Sequence, residues 1–237
     1  MDILADYHTH TIYSHGKGTI EDNVVEAISK GIKTIGISDH GYKHITFGVK
    51  RKNIYLMREE IDKLNEKYKE INILLGMECN ILDNSGNIDM DDEIRKHLDY
   101  VMAGYHFGST PTSLRSMLNH GDNYIRKSSK SKEYNTEALI NAMRKNDIFI
   151  ITHPGDKGDV YIEEVAKVAK ETDTKLEINS SHGYLNSKQL EKIKNIGTKF
   201  IIGSDAHIPQ NVGNFKLAMK IIEESKLDVS LVENIRL

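Results

Sequence analysis

The sequence predicts an α/β fold in which parallel strands alternate with helices within a single domain. Short runs rich in Ile, Val and Leu alternate with longer amphipathic segments, and glycines lie near several of the changeovers. The length of 237 residues is within the usual range for one domain. Such alternation implies parallel strands joined by helical crossovers, which can close into a barrel or remain an open doubly wound sheet.

Seven apolar runs are predicted as strands and six amphipathic segments as helices. The strands are residues 3–7, 33–38, 72–77, 100–104, 148–152, 175–179 and 199–203. The helices cover about 20–30, 53–70, 136–146, 162–172, 187–195 and 211–224. Most of the strands are apolar throughout, as expected for strands that are covered on both faces. In a barrel or an open sheet, the functional site is expected at the carboxyl ends of the strands.

A polar segment at residues 107–134 departs from this alternation. It is rich in Ser, Lys, Arg and Asn, and it is longer than a simple connection. Irregular segments of this length in compact domains are usually functional or mobile. The segment is therefore interpreted as an insertion within one domain that spans residues 1–237.

The composition excludes several classes of protein. A hydrophobic content of 38% with 28% charged residues is typical of a folded protein in water. No apolar run approaches the ~20 residues that a membrane span needs, and no signal peptide precedes the first strand. The single cysteine, Cys79, cannot form an internal disulfide, which indicates a cytoplasmic location. A net charge of −3 and the absence of Trp argue against nucleic-acid binding.

Histidines and acids cluster where the predicted strands end. Of the eleven histidines, His8 and His10 follow the first strand, and Asp205 and His207 follow the seventh with the same two-residue spacing. Side chains at i and i+2 of a strand point to one face, so each pair can reach one ion. Nine potential ligands share this placement: His8, His10, His15, His40, Glu78, His106, His153, Asp205 and His207. Taken singly, each histidine is more often a structural residue, but the whole set indicates a metal site of the imidazole–carboxylate type.

Six short motifs together resemble the PHP (polymerase and histidinol phosphatase) superfamily, and within it the YcdX-type phosphatases. They are His-Thr-His at 8–10, Ser-Asp-His-Gly at 38–41, Gly-Met-Glu at 76–78, Thr-His-Pro-Gly at 152–155, Leu-Glu-Ile-Asn at 176–179 and Gly-Ser-Asp-Ala-His at 203–207. The resemblance runs from the first residues to about Phe215, interrupted by the polar insertion. Each motif is weak alone, and the combination is specific.

This resemblance implies a distorted (βα)7 barrel with three divalent metal ions, zinc first and manganese or iron as alternatives. By position, the implied ligands are His8, His10, Glu78 and Asp205 for one ion, Glu78 (bridging), His106 and His153 for a second, and His15, His40 and His207, with Asp205 as a further candidate, for the third. Glu78, Asp205 and His207 are the implied catalytic residues.

The implied reaction is hydrolysis of a small phosphomonoester by a metal-bound hydroxide. Three divalent ions less two carboxylates leave about four positive charges, which a dianionic phosphate would largely neutralise. Three alternatives remain: a histidinol phosphatase, a PHP-type 3′ exonuclease, and hydrolysis of amides or lactones. The sequence leaves the natural substrate, the metal and a homo-oligomeric state open.

Several further residues are candidates for contact with the substrate or for support of the ligands. His182, just past the sixth strand, is at the correct end to touch substrate. Arg115 and Arg126 lie in the insertion that follows His106, which could fold over the site as a lid that presents cations to phosphate; the alternative is a solvated loop. Asp39 could orient an imidazole or bind a loop amide, and Glu177 is predicted to form a buried ion pair.

Overall fold

The computed structural model describes residues 2–125 and 128–236. In chain order its strands are β1 (Asp2–Ile3), β2 (Ala5–Asp6), β3 (Thr34–Ile37), β4 (Asn72–Asn80), β5 (Tyr100–Gly104), β6 (Ile150–Ile151), β7 (Lys175–Asn179), β8 (Phe200–Gly203) and β9 (Ile235–Arg236). The helices are α1 (Ile20–Ser29), α2 (Arg51–Lys67), α3 (Asp92–Arg95), α4 (Leu114–Ile125), α5 (Ser129–Lys145), α6 (Ile162–Glu171), α7 (Ser187–Ile193) and α8 (Lys216–Ser225).

Strands β2 to β8 form one parallel sheet in chain order, each paired with the next. The two edge strands, β2 and β8, approach each other, so that the sheet is nearly closed. At their carboxyl ends the backbone of Ala206 bonds to that of His8 and His10, at 3.2 and 2.8 Å. The predicted α/β fold with a distorted seven-stranded barrel is confirmed.

A buried asparagine also joins β2 to β8, and we refer to this junction between the two edge strands as the seam. The Asn234 amide nitrogen donates to the carbonyl oxygens of Ala5 and Ile202, each at 2.8 Å. Its side-chain oxygen accepts from the backbone nitrogen of Ile202 at 3.0 Å. The side chain of Asn234 therefore bonds to backbone groups of β2 and β8, which are not paired with each other as neighbouring strands.

The strands separate two apolar regions. Outward side chains such as Ile35, Leu75 and Ile202 pack against the helices in the main core. Inward side chains form a smaller cluster inside the barrel, consisting of Tyr100, Met102, Ile150 and Ile201. Because side chains alternate along a strand, Glu78 lies on the inner face of β4 between the outward Met77 and Cys79. The same alternation turns Glu177 of β7 inward.

The expectation that the polar segment 107–134 is an irregular loop is wrong. Most of this segment is helical, because α4 covers Leu114–Ile125 and α5 begins at Ser129 instead of residue 136. The Ser128 side chain caps α5 by accepting from the backbone nitrogen of Ser131. Helix α4 was missed because its polar side chains, Ser116, Asn119 and Asn123, are the buried ones, which reverses the pattern expected of a surface helix.

The helices in the described ranges are either too short or too polar to cross a membrane. The longest, α2 and α5, have 17 residues each and carry many charged side chains.

Candidate metal centre

The nine predicted ligands meet at the carboxyl ends of the barrel strands. Three subsets have ligand atoms that all lie within 4.8 Å of one another. These subsets are His10, His15, His40 and His207; His8, His10 and Glu78; and His40, Glu78 and His106. His153 and Asp205 border the same cluster, at 3.1 Å from Glu78 and 3.3 Å from His10. The cluster opens into a cavity of about 420 Å³, a size typical of small-molecule sites.

Glu78 lies at the centre of the cluster and is completely buried. Its Oε1 atom is 3.2 Å from Nε2 of His106 and 3.1 Å from Nε2 of His153. Its Oε2 atom is 2.8 Å from Nδ1 of His40. Burial raises the pKa of this carboxyl, but the surrounding imidazoles, His106 first, hold the pKa of Glu78 well below its usual range. A charged carboxylate in contact with several imidazoles is the arrangement that a shared metal ligand requires.

Asp205 follows β8 and borders the cluster, and its backbone has a strained conformation. Its φ is +52°, and that of His153 is +27°. Left-handed residues other than glycine are uncommon and concentrate at functional sites. The Asp205 Oδ1 atom is 3.3 Å from Nε2 of His10 and 3.5 Å from Nε2 of His8. Burial raises its pKa, but His8 and the other contacts keep the pKa of Asp205 well below normal.

Acceptors behind three of the histidines fix which ring nitrogen faces the cluster. Nδ1 of His8 donates to Oε1 of Glu177 at 2.6 Å, and Nδ1 of His207 donates to the carbonyl of Asp205 at 2.9 Å. Nδ1 of His106 donates to Oδ1 of Asn80 at 3.0 Å. In each case the acceptor engages Nδ1, so that Nε2 is the nitrogen that faces the cluster, as in histidines that bind metal.

Further buried atoms have no hydrogen-bond partner among the described residues. Within the cluster these atoms include Nδ1 of His10 and Nδ1 of His15. Nδ1 of His40 and Oε2 of Glu78 lie 2.8 Å apart but without the geometry of a hydrogen bond. Buried polar atoms in native proteins nearly always have a partner. Residues that carry unpaired buried nitrogens and whose ligand atoms lie within 4.8 Å of one another therefore fit divalent cations, and the mixture of imidazole and carboxylate suits zinc, manganese or iron.

His182, predicted to contact substrate, lies at the edge of the cluster. Its Nε2 atom is 3.2 Å from Oδ2 of Asp205, and its Nδ1 atom is 3.3 Å from Oδ2 of Asp156. Lys157 also contacts Asp156, with 2.5 Å between Nζ and Oδ2. Both His182 and Lys157 line the cavity.

Sequence reasoning assigned no role to Lys157 or His44, although both line the cavity. Each follows a predicted ligand, His153 or His40, by four residues in the same strand-end loop, and this spacing was the available signal. The His44 Nδ1 atom accepts from the backbone nitrogen of Phe47 at 3.2 Å. Burial lowers the pKa of His44 to about 4, so the neutral ring carries its proton on Nε2 and is a hydrogen-bond donor at pH 7.

The structure does not bring Arg115 to the cluster. Its guanidinium lies 5.2 Å from the centre of the Tyr134 ring and 4.0 Å from Glu137, along a separate cleft. Arg126, the other cation predicted for a lid, lies outside the described residues.

Two supporting carboxylates have defined partners. Asp39 accepts hydrogen bonds from the backbone nitrogen and the hydroxyl of Thr11, at 2.8 and 2.6 Å. Of its two predicted roles, it therefore has that of binding a loop amide. Glu177 forms its buried pair with His8, and its other oxygen accepts from the backbone nitrogen of His153 at 2.8 Å.

Known proteins resemble this chain in sequence and in fold. The model of the PHP domain family matches residues 6–181. A probable phosphatase of Thermoanaerobacter sp. (strain X514) is 35% identical over 250 residues, covering 99% of this chain and 91% of the relative. A probable phosphatase of Acetivibrio thermocellus is 32% identical, covering 99% of this chain and 92% of the relative.

Among solved structures, the fold resembles that of histidinol phosphate phosphatase from Lactococcus lactis subsp. lactis, determined with zinc, L-histidinol and phosphate. The TM-score is 0.65 at 18% identity, over 95% of each chain. The family match and the curated relatives confirm the expected class of enzyme, a metal-dependent phosphatase, and the similarity in fold confirms the barrel. With a family model that matches about three quarters of its length, the chain belongs to the PHP domain family.

Proposed function

We propose that this enzyme hydrolyses small phosphomonoesters at a centre of three divalent ions, with zinc as the first candidate and manganese or iron as alternatives. The observation that carries the proposal is the set of three overlapping donor groups around Glu78 and His10. These groups overlap the ligand sets expected from the family, with three differences. His10 also joins the group of His15, His40 and His207, His40 also joins that of Glu78 and His106, and His153 and Asp205 border the groups instead of belonging to them.

Bound divalent ions supply Lewis-acid stabilisation of phosphoryl oxygens and lower the pKa of water. The residues of the chain would bind these ions and set the charge of the centre. Glu78 contributes one negative charge at the centre of the cluster, and Asp205 contributes a second beside His8 and His10. The centre of the His207 ring lies 4.3 Å from that of His10 and 4.1 Å from that of His15. The net positive charge of such a centre favours a dianionic phosphate over a neutral amide or lactone.

The cavity supports a small substrate. Its volume of about 420 Å³ accommodates a molecule of the size of an amino-alcohol phosphate, and the Lactococcus lactis protein holds L-histidinol and phosphate. Besides the metal ligands, Lys157 offers a cation and His44 a neutral donor. The buried, unpaired Cys79 fits the proposed cytoplasmic location.

The proposal is tested by phosphate release from a panel of monoesters that includes histidinol phosphate and para-nitrophenyl phosphate. We expect metal-loaded protein to release phosphate, chelated protein to lose this activity, and readdition of zinc or manganese to restore it. Bis-para-nitrophenyl phosphate, single-stranded DNA and lactones should be poor substrates. Hydrolysis of DNA or lactones without phosphate release from monoesters, by folded and loaded protein, would replace the proposal with one of the alternatives.

Lys157 is expected to bind the phosphate of the substrate. Replacing it by methionine keeps the length of the side chain but removes the charge, so Lys157→Met should raise KM about tenfold, the loss of one charge-assisted hydrogen bond of ~1.5 kcal/mol. Lys167→Met, on the exposed face of α6, is the matched control. An unchanged KM in steady-state kinetics of Lys157→Met would exclude this role.

A further inference from the structure

Helix α4, Leu114–Ile125, presents its apolar side chains to solvent. Five large ones are exposed over more than half of their surface: Leu114 (68%), Met117 (53%), Leu118 (63%), Tyr124 (78%) and Ile125 (78%). Exposed apolar residues scattered singly are normal in soluble proteins, but five on one three-turn helix form a continuous patch. We refer to these five residues as the α4 stripe.

The orientation of α4 is fixed by polar contacts on its opposite face. The Asn119 amide donates to Oδ1 of Asn135 at 2.8 Å, and the Asn123 amide donates to the hydroxyl of Tyr105 at 3.1 Å. His120 contacts the hydroxyls of Tyr105 and Ser109. Rotating the helix to bury the stripe would leave these groups unpaired, so the stripe remains outward in a single copy of the chain.

We propose that the α4 stripe is a homodimer interface in which α4 packs antiparallel against α4 of a second copy. The stripe has the three- and four-residue spacing of a helix–helix seam, and Gly121 lies at its middle. A Cβ atom at Gly121 would meet nothing within 4 Å, so a partner helix can approach there. A two-fold axis through Gly121 places Leu118 opposite Tyr124 and Met117 opposite Ile125 of the other copy, which makes the stripe complementary to itself.

The area and the charge of this face agree with a second copy as the occupant. At roughly 100 Å² for each side chain, the stripe supplies about 500 Å² of apolar surface per copy, most of the ~800 Å² that each partner contributes to a stable interface. Phe107 extends it, since its ring centre is 5.7 Å from that of Tyr124. The charged residues of α4 are Arg115 and Asp122, which sum to zero, so α4 of a second copy meets no net like charge along the helix.

A cysteine placed at the predicted crossing point tests the geometry. The native Cys79 is buried, so Gly121→Cys adds an accessible thiol, and a crossing at this position brings the two Cα atoms near the ~5.5–6 Å of a disulfide. Oxidation with copper phenanthroline should convert most of the Gly121→Cys protein into a covalent dimer that dithiothreitol reverses. Leu56→Cys, on the exposed face of α2 (51% exposed), is the control and should remain monomeric on denaturing gels. Equal cross-linking of both variants would overturn the proposed contact.

The oligomeric state tests the interface without a new thiol. By sedimentation equilibrium at micromolar concentrations, wild type and Leu56→Glu should be dimers and Leu118→Glu a monomer, with the same thermal unfolding profile. A monomeric wild type at all concentrations, or a dimeric Leu118→Glu, would contradict the proposal. Flotation of monomeric wild type with phosphatidylglycerol–phosphatidylcholine vesicles would instead assign the stripe to a membrane surface. None of these readouts depends on phosphatase activity.

Discussion

Asp205→Asn should lower kcat/KM for a phosphomonoester by on the order of 10³-fold, or about 4 kcal/mol of transition-state stabilisation. The carboxylate contacts His8, His10 and His182, so its neutralisation removes one of the two negative charges in the cluster. Asparagine is the appropriate replacement because it tolerates the left-handed backbone at this position, where φ is +52°. Alanine would add backbone strain to the loss of charge.

The control for this variant is Asp173→Asn. Asp173 also has a left-handed backbone, with φ of +54°, but it precedes β7 at the other end of the barrel, and its side chain is 85% exposed. We expect Asp173→Asn to retain wild-type kinetics. The metal content of both variants, measured by plasma emission spectroscopy, separates loss of an ion from loss of catalysis. Full activity in a folded Asp205→Asn protein would remove this residue from the catalytic site.

Glu177→Gln should weaken metal binding by about 10- to 100-fold, although Glu177 is not expected to bind an ion. The groups around this buried carboxylate are all donors, namely Nδ1 of His8, the backbone nitrogen of His153 and the Asn179 amide. A glutamine would point its own NH₂ group at one of them, which costs ~1–3 kcal/mol. If that donor is His8, the ring loses the acceptor that keeps Nε2 free for the metal.

Competition with a chromogenic chelator measures this effect, and thermal unfolding of the metal-free protein measures the stability cost. Glu171→Gln, whose carboxylate is 62% exposed and pairs with Arg144, should change neither. An unchanged metal affinity in Glu177→Gln would show that the tautomer of His8 is maintained by other contacts. The close packing leaves little room for rearrangement, because a Cβ atom on Gly203 would lie only 2.0 Å from Oε1 of Glu177.

The sequence predicted the barrel strands and the ligand cluster because both depend on local patterns. Each parallel strand is a short apolar run, and the residues that follow it reach the same rim whatever the details of the helices. His8 and Asp205 could therefore be assigned to one site although β2 and β8 lie at opposite ends of the chain. The closure of the sheet was expected only from the family resemblance, because strand–helix alternation fits open sheets equally well.

The remaining features depend on tertiary contacts that the sequence pattern does not encode. Lys157 and His44 line the cavity from loops, where polar residues more often face solvent. Helix α4 was missed because its asparagines form a buried hydrogen-bond network with Asn135 and Tyr105. Such a network reverses the usual relation between apolar side chains and burial.

The seam closed by Asn234 also bears on the order in which the protein folds. The bond from Asn234 to Ala5 joins residues 229 positions apart, so it carries the entropic cost of a very long loop, and we expect it to form late relative to local contacts. His8 and His10 lie on one side of this seam, and Asp205 and His207 lie on the other. We therefore expect the candidate site and the closed barrel to form together, and an ion that binds only the closed form would stabilise the seam by mass action.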